Sequence, residues 1–147
     1  MRRRAMMIKE QIQPVPWEDV AFDLSDFVNF SNCSHSYDSS AKTLRVYCTS
    51  AGTYRGVKKS ITLDPLYEYK VDYDLTYVSG VHRSSFAAGS TTQTPNSGRI
   101  TSSRHVSFIF NKAASYAIDN FRFFCTWDTS STGDCTISNF SIKRRLL

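Results

Sequence analysis

From Tyr67 to Tyr77, within the stretch Tyr67 to Ser79, apolar and polar side chains alternate without a break. Tyr67, Tyr69, Val71, Tyr73, Leu75 and Tyr77 fall on one side, and Glu68, Lys70, Asp72, Asp74 and Thr76 on the other. A period of two sends successive side chains to opposite faces of an extended backbone, so the segment predicts a strand with one dry and one wet face. The same rhythm sets Leu44, Val46 and Cys48 against Thr43, Arg45, Tyr47 and Thr49. It returns in Val57, Ile61 and Leu63, in Val106, Phe108 and Phe110, in Phe121, Phe123, Cys125 and Trp127, and in the last stretch, Cys135 to Lys143. Clusters of Ser, Asn, Asp and Gly separate these runs, which together predict about eight or nine short strands in an antiparallel arrangement.

Two of the breaks read as hairpins. Ser50 to Tyr54, with Ala51 and Gly52, has the length and composition to join two neighbouring antiparallel strands, and Asp128 to Asp134 reads as a terminal hairpin. The Ser-, Thr-, Gly- and Asn-rich stretch from Ala87 to Ser103 predicts a long exposed loop or a weak edge hairpin. No repeat of fixed period is present, so solenoids and propellers have no support. The fold expected is all-β, a two-sheet antiparallel sandwich of jelly-roll type with an extended N-terminal arm. The arm takes residues 1–20 and the sandwich residues 21–147. Pro14 and Pro16 close a leader that has no sustained period of either kind.

Charge sharpens that division. The chain carries a formal +5, but Arg2, Arg3, Arg4 and Lys9 against Glu10 contribute +3, and Lys143, Arg144 and Arg145 another +3, leaving residues 11–142 at −1. The basic balance belongs to the ends, which argues against a broad cationic face for nucleic acid. Ala5, Met6, Met7 and Ile8 are too few apolar residues for a signal-peptide core or a membrane span. The arginine triplet with Met6, Met7 and Ile8 suits docking to a protein partner, with a solvated leader as the plainer alternative.

The four cysteines lack the close paired spacing of a zinc site, so reduced thiols and no bound metal or cofactor are expected. Cys48 and Cys125 fall at core positions of alternating strands, whereas Cys33 and Cys135 lie in more polar surroundings; a Cys125 to Cys135 bridge stays open as an alternative. His35, His82 and His105 have no metal-binding spacing. Neither a Gly-x-Ser-x-Gly elbow nor a glycine-rich phosphate loop occurs, so no enzyme activity is expected. Asp72 and Asp74 share a strand face, and a solvated face explains them as well as acid–base chemistry does. Three aromatics depart from the core pattern: Tyr47 interrupts a polar face, Phe124 is out of phase on its strand, and Trp127 opens a loop. Such rings can stack on the C–H face of a sugar while Arg55, Arg122 or Asp128 bonds its hydroxyls, though ordinary packing would also use them.

The run Gly52-Thr53-Tyr54-Arg55-Gly56-Val57, then Ile61-Thr62-Leu63-Asp64-Pro65-Leu66-Tyr67-Glu68-Tyr69, and finally Cys135-Thr136-Ile137-Ser138-Asn139-Phe140-Ser141-Ile142 carry a resemblance. From roughly residue 22 to 144 their order resembles the galactose-binding-like jelly rolls, which include many carbohydrate-binding modules and accessory domains of phage virion proteins. In that family the last strand often carries an aspartate that helps bind a structural calcium. Ser138 stands there in this chain, and its neutral hydroxyl is a weaker ligand for a hard cation. The opening Arg2-Arg3-Arg4-Ala5-Met6-Met7 is similar to the start of small virion proteins from phages of gut bacteria. These resemblances imply a non-enzymatic virion structural protein, docked by its arm to other virion proteins. It would present a homo-oligomeric sandwich to a host surface glycan and make no membrane contact. The alternative they imply is a free-standing lectin-like glycan-binding module.

Overall fold

The computed structural model describes residues 14–147. Residues 2–8, read above as a docking arm, lie outside the described residues. The chain forms β1 (Glu18–Val20), β2 (Val28–Phe30), β3 (Ser34–Asp38), β4 (Thr43–Gly52), β5 (Arg55–Ser60) and β6 (Tyr67–Ser79). It continues with β7 (Arg83–Ala88), β8 (Thr91–Thr92), β9 (Arg104–Phe110), β10 (Asn120–Thr126) and β11 (Ser131–Leu146). Short 3-10 turns occur at Leu24–Asp26 and Ala113–Ser115.

One sheet runs β3-β4-β11-β6-β9, with β1 beside β11; the other runs β2-β5-β10-β7-β8. Every strand pair in them is antiparallel. The result is a two-sheet β-sandwich, a jelly roll. Glu18–Val20, at the end of the stretch read as the arm, pair with β11 from Glu18 opposite Arg144 to Val20 opposite Ile142.

The alternating faces meet between the sheets. Val71, Tyr73 and Leu75 of β6 and Val106 and Phe110 of β9 are buried against Phe86, Phe121 and Phe123 of the other sheet. Aromatic edges lock into aromatic faces here: Tyr73 meets Phe123 at 5.3 Å and 85°, and Phe86 meets Phe121 at 5.0 Å and 72°. Edge-to-face pairs add a directional term to the area they bury.

The two connections read as hairpins are not hairpins. β4 lies in one sheet and β5 in the other, and the same holds for β10 and β11, so each connection arches across the sandwich. The physical reason lies in the inward faces. An arch lets the apolar sides of two consecutive strands face each other across the core, whereas a hairpin would lay them side by side, and both need the same glycine- and serine-rich turn. At the first arch Tyr54 takes φ +55°, and its amide hydrogen is shared by the carbonyls of Thr126 and Trp127, fastening the two arches together. Ile61 and Leu63 lie beyond the end of β5, half-buried. The stretch 87–103 holds the edge hairpin β7–β8, but it also sends Gln93 and Ile100 into the interior. Cys33 and Cys135, placed by sequence in polar surroundings, are buried at 4% and 0% exposure, and all four thiols are free.

Candidate functional site

β10 is the central strand of its sheet, and all seven of its residues are buried. Alternation accounts for Phe121, Phe123 and Cys125, which face the core. The other set, Asn120, Arg122, Phe124 and Thr126, points to the outer face and is buried as well, so something covers that face. Register shows what lies beside it. Phe124 stands between Gly56 of β5 and Arg83 of β7, and Arg122 between Lys58 and Ser85. Gly56 is required where it is, because a Cβ there would lie 1.9 Å from the Phe123 carbonyl oxygen. Room remains over this face of the sheet.

Aromatic rings rim that room. Phe30, from edge strand β2, meets Phe124 edge-on at 5.3 Å; Trp127 meets Phe124 at 4.8 Å; and Tyr54, from the first arch, meets Trp127 at 5.0 Å. Together with Arg122, Ser31 and the β7–β8 turn (Ser90, Thr91, Thr92) they line a hollow of about 480 Å³. Tyr54 is half exposed, so a ring face remains open to a ligand.

The polar groups are held in place from behind. Arg122 donates from Nε to the Asn120 side-chain oxygen at 2.8 Å and from Nη2 to the Gly89 carbonyl at 2.8 Å, while its guanidinium lies 4.5 Å from the Phe30 ring. Burial lowers its pKa, which the Asp119 carboxylate partly opposes. The Arg83 guanidinium lies 4.0 Å over the Trp127 ring. Its Nε and the Ser85 hydroxyl are buried without a hydrogen-bond partner among the described residues. Buried donors left unmatched cost stability.

Of the six residues proposed from sequence, the structure brings Arg122, Phe124 and Trp127 together in this hollow. It places the other three elsewhere. Tyr47 lies in β4, in the other sheet, under the Arg45 guanidinium at 4.4 Å. Arg55 is spent inside the first arch, donating to the Ser50 carbonyl and hydroxyl at 2.9 Å each. Asp128 pairs with Arg99 at 2.7 Å. Sequence reasoning missed Phe30 and Tyr54, which reach the hollow from an edge strand and an arch whose place beside β10 no local pattern reveals. Tyr54, between Gly52 and Gly56 in a turn, was the one with a readable signal.

A second hollow of about 640 Å³ opens near Phe22, Tyr37 and Asn139. Lys59 there is held by Asp26 at 2.9 Å, and Phe22 packs edge-on against Phe27 and Phe121. Its three rings, Phe22, Tyr37 and Phe140, pack against the core.

No family model matches the sequence, and no curated protein matches it. Solved structures share the fold. A CBM4 structure superposes with a TM-score of 0.57 at 16% identity, over 80% of this chain and 94% of that one. A mutant of a carbohydrate binding module of family 29 does so with 0.56 at 14% identity, over 90% and 92%. Arabinose-bound MgGH51 α-L-arabinofuranosidase gives 0.60 at 16% identity over 91% of this chain, which spans only 25% of that enzyme. The architecture is therefore the β-sandwich found in carbohydrate-binding modules. At such identities the likeness is one of fold.

Proposed function

We propose that this chain is a non-catalytic glycan-binding module whose ligand lies in the hollow over β10. The observation that carries this reading is the convergence of Tyr54, Trp127, Phe124 and Phe30 around Arg122 on one sheet face. Ring faces take the C–H side of a sugar and a fixed guanidinium bonds its hydroxyls, which is the usual division of labour in a small-ligand site. The lining residues include no carboxylate and no imidazole among the described residues, whereas hydrolysis of a glycosidic bond ordinarily needs a pair of carboxylates. The sandwich shared with carbohydrate-binding modules supports the same reading.

Screening the full chain on a glycan array, followed by calorimetry of the best ligand, tests it. Trp127→Ala and Tyr54→Ala should each weaken binding about tenfold or more, the scale of losing one buried stacking contact. Tyr47→Ala, on the opposite sheet, should leave it unchanged. Binding lost in Tyr47→Ala and kept in Trp127→Ala would put the site on the wrong face, and an array without hits would end the reading. Attachment to a virion is a separate proposal resting on Arg2, Arg3, Arg4, Met6, Met7 and Ile8, and self-association of the sandwich goes with it. Its check is whether removal of residues 1–13 abolishes co-sedimentation with virion components while glycan binding persists.

A further inference from the structure

Three sulfurs from distant parts of the chain converge in the core. Ser34 opposite Tyr47 in the β3–β4 register sets Cys33 across from Cys48, and Cys48 shares the inward phase of Leu44 and Val46. From the other sheet Cys125 points inward in phase with Phe121 and Phe123. The Cys48 sulfur lies 2.9 Å from that of Cys33 and 2.9 Å from that of Cys125, and the last two are 3.5 Å apart. Exposure is 4% or less at all three.

We propose that Cys33, Cys48 and Cys125 form a binding site for one thiophilic d¹⁰ cation, zinc(II) or copper(I), held by three thiolates. Packing alone gives no reason for three thiols to meet. A buried cysteine behaves as a small hydrophobe that is satisfied by any apolar neighbour. A disulfide accounts for two sulfurs, at about 2.05 Å, and leaves the third without a role. A central ion uses all three. With a metal–sulfur distance of about 2.3 Å, three thiolates around an ion stand up to about 4 Å apart, so the triangle seen here opens by about 1 Å or less, within reach of small side-chain rotations. Soft sulfur ligands with no hard oxygen donor among them select for zinc(II) or copper(I) over calcium or magnesium.

Binding requires no electron transfer. Each thiol gives its proton to solvent as its sulfur bonds the ion, leaving a net charge of −1 around zinc(II) or −2 around copper(I). Arg55, whose side chain closes the arch beside this cluster, supplies compensating positive charge. Cys135 stands apart from the triad, with its sulfur 3.7 Å from His82 Nδ1, and serves as an internal control.

The test uses full-length protein reduced and stripped with chelator, then titrated with zinc(II) against a chromophoric competitor, with cadmium(II) to give a thiolate charge-transfer band, and with copper(I) as its bicinchoninate complex. One equivalent of metal should bind, with a cadmium band of the intensity expected for three thiolates and a rise in melting temperature, as for any ligand that binds only the folded state. Cys48→Ala and Cys33→Ala should abolish the band, and Cys135→Ala should retain it. Circular dichroism identifies any variant that fails to fold; for such a variant the wild-type stoichiometry and band intensity decide. Thiol counting in denaturant should give four free thiols in the stripped protein. Two free thiols, no saturable binding of any of the three ions, or loss of binding in a folded Cys135→Ala would each overturn the site. The glycan assay is untouched by any of these outcomes, because the hollow over β10 contains no cysteine among the described residues.

Discussion

Tyr73 shows how a single side chain can tie the two halves of the core. Its ring is fully buried, and its hydroxyl lies 2.6 Å from His82 Nε2 and 2.6 Å from the Ser84 hydroxyl. Burial pushes its pKa well up, so it stays a neutral phenol, and burial pushes the His82 imidazole down to about 3, so that ring stays neutral too. A neutral network in a dry core is stable only while each member keeps its partner. Tyr73→Phe removes one oxygen and strands two partners, and should therefore cost about 1–3 kcal/mol, read from urea unfolding at neutral pH. A variant as stable as the parent would mean that water replaces the lost hydroxyl. At the same scale, Phe124 stood out in the sequence because it falls out of the core phase of its strand, and Arg122 as a guanidinium able to bond sugar hydroxyls. Arg55 was misread because nothing in the sequence says that a guanidinium will be consumed by its own turn.

Strand β6 was readable because from Tyr69 to Leu75 its residues alternate between buried and half-buried. The wet face also holds an ion cluster that the sequence suggested only as two carboxylates. His105, on neighbouring β9, places Nδ1 2.8 Å from Asp74 and Nε2 3.4 Å from Asp72, with Lys70 3.8 Å from Asp72 and Asn139 donating to Asp74 at 2.8 Å. The bond to Asp74 raises the His105 pKa above its ordinary 6.5. The bond from Asn139, then that from His105, lowers the Asp74 pKa below 3.8. The folded state thus favours the protonated ring. That contribution is complete below the unfolded value and is lost as pH rises through the higher folded one, while the Asp74 contribution is lost as pH falls through its lowered value. Melting temperatures taken at low salt at about pH 5 and about pH 8 should therefore differ less for His105→Gln than for the parent, by a modest amount because the pair is exposed. Parallel profiles would remove the cluster from the account of stability.

Over the whole molecule, strand identity was readable and strand neighbourhood was not. The period-two pattern says which way a side chain faces but carries no information on which sheet the strand enters, and so both arches passed for hairpins. The candidate site suffered for the same reason. Its rings come from β2, from the first arch and from β10 with the second arch, segments that become neighbours only once the order β2-β5-β10-β7-β8 is set. The other sheet has an equally non-local order, in which the final strand β11 lies between β4 and β6 and also carries β1. A fragment ending at residue 130 should accordingly lack cooperative melting and near-ultraviolet dichroism, and a fragment that melts like the parent would show that the five-stranded sheet stands alone.

That placement of β11 bears on how the chain is made. While a ribosome is still synthesising residues 131–146, β4 and β6 have already emerged without the strand that belongs between them, each with one edge open. Folding of this sheet therefore waits until β11 has been made, and the interval before it is when newly made copies are most exposed to pairing with one another.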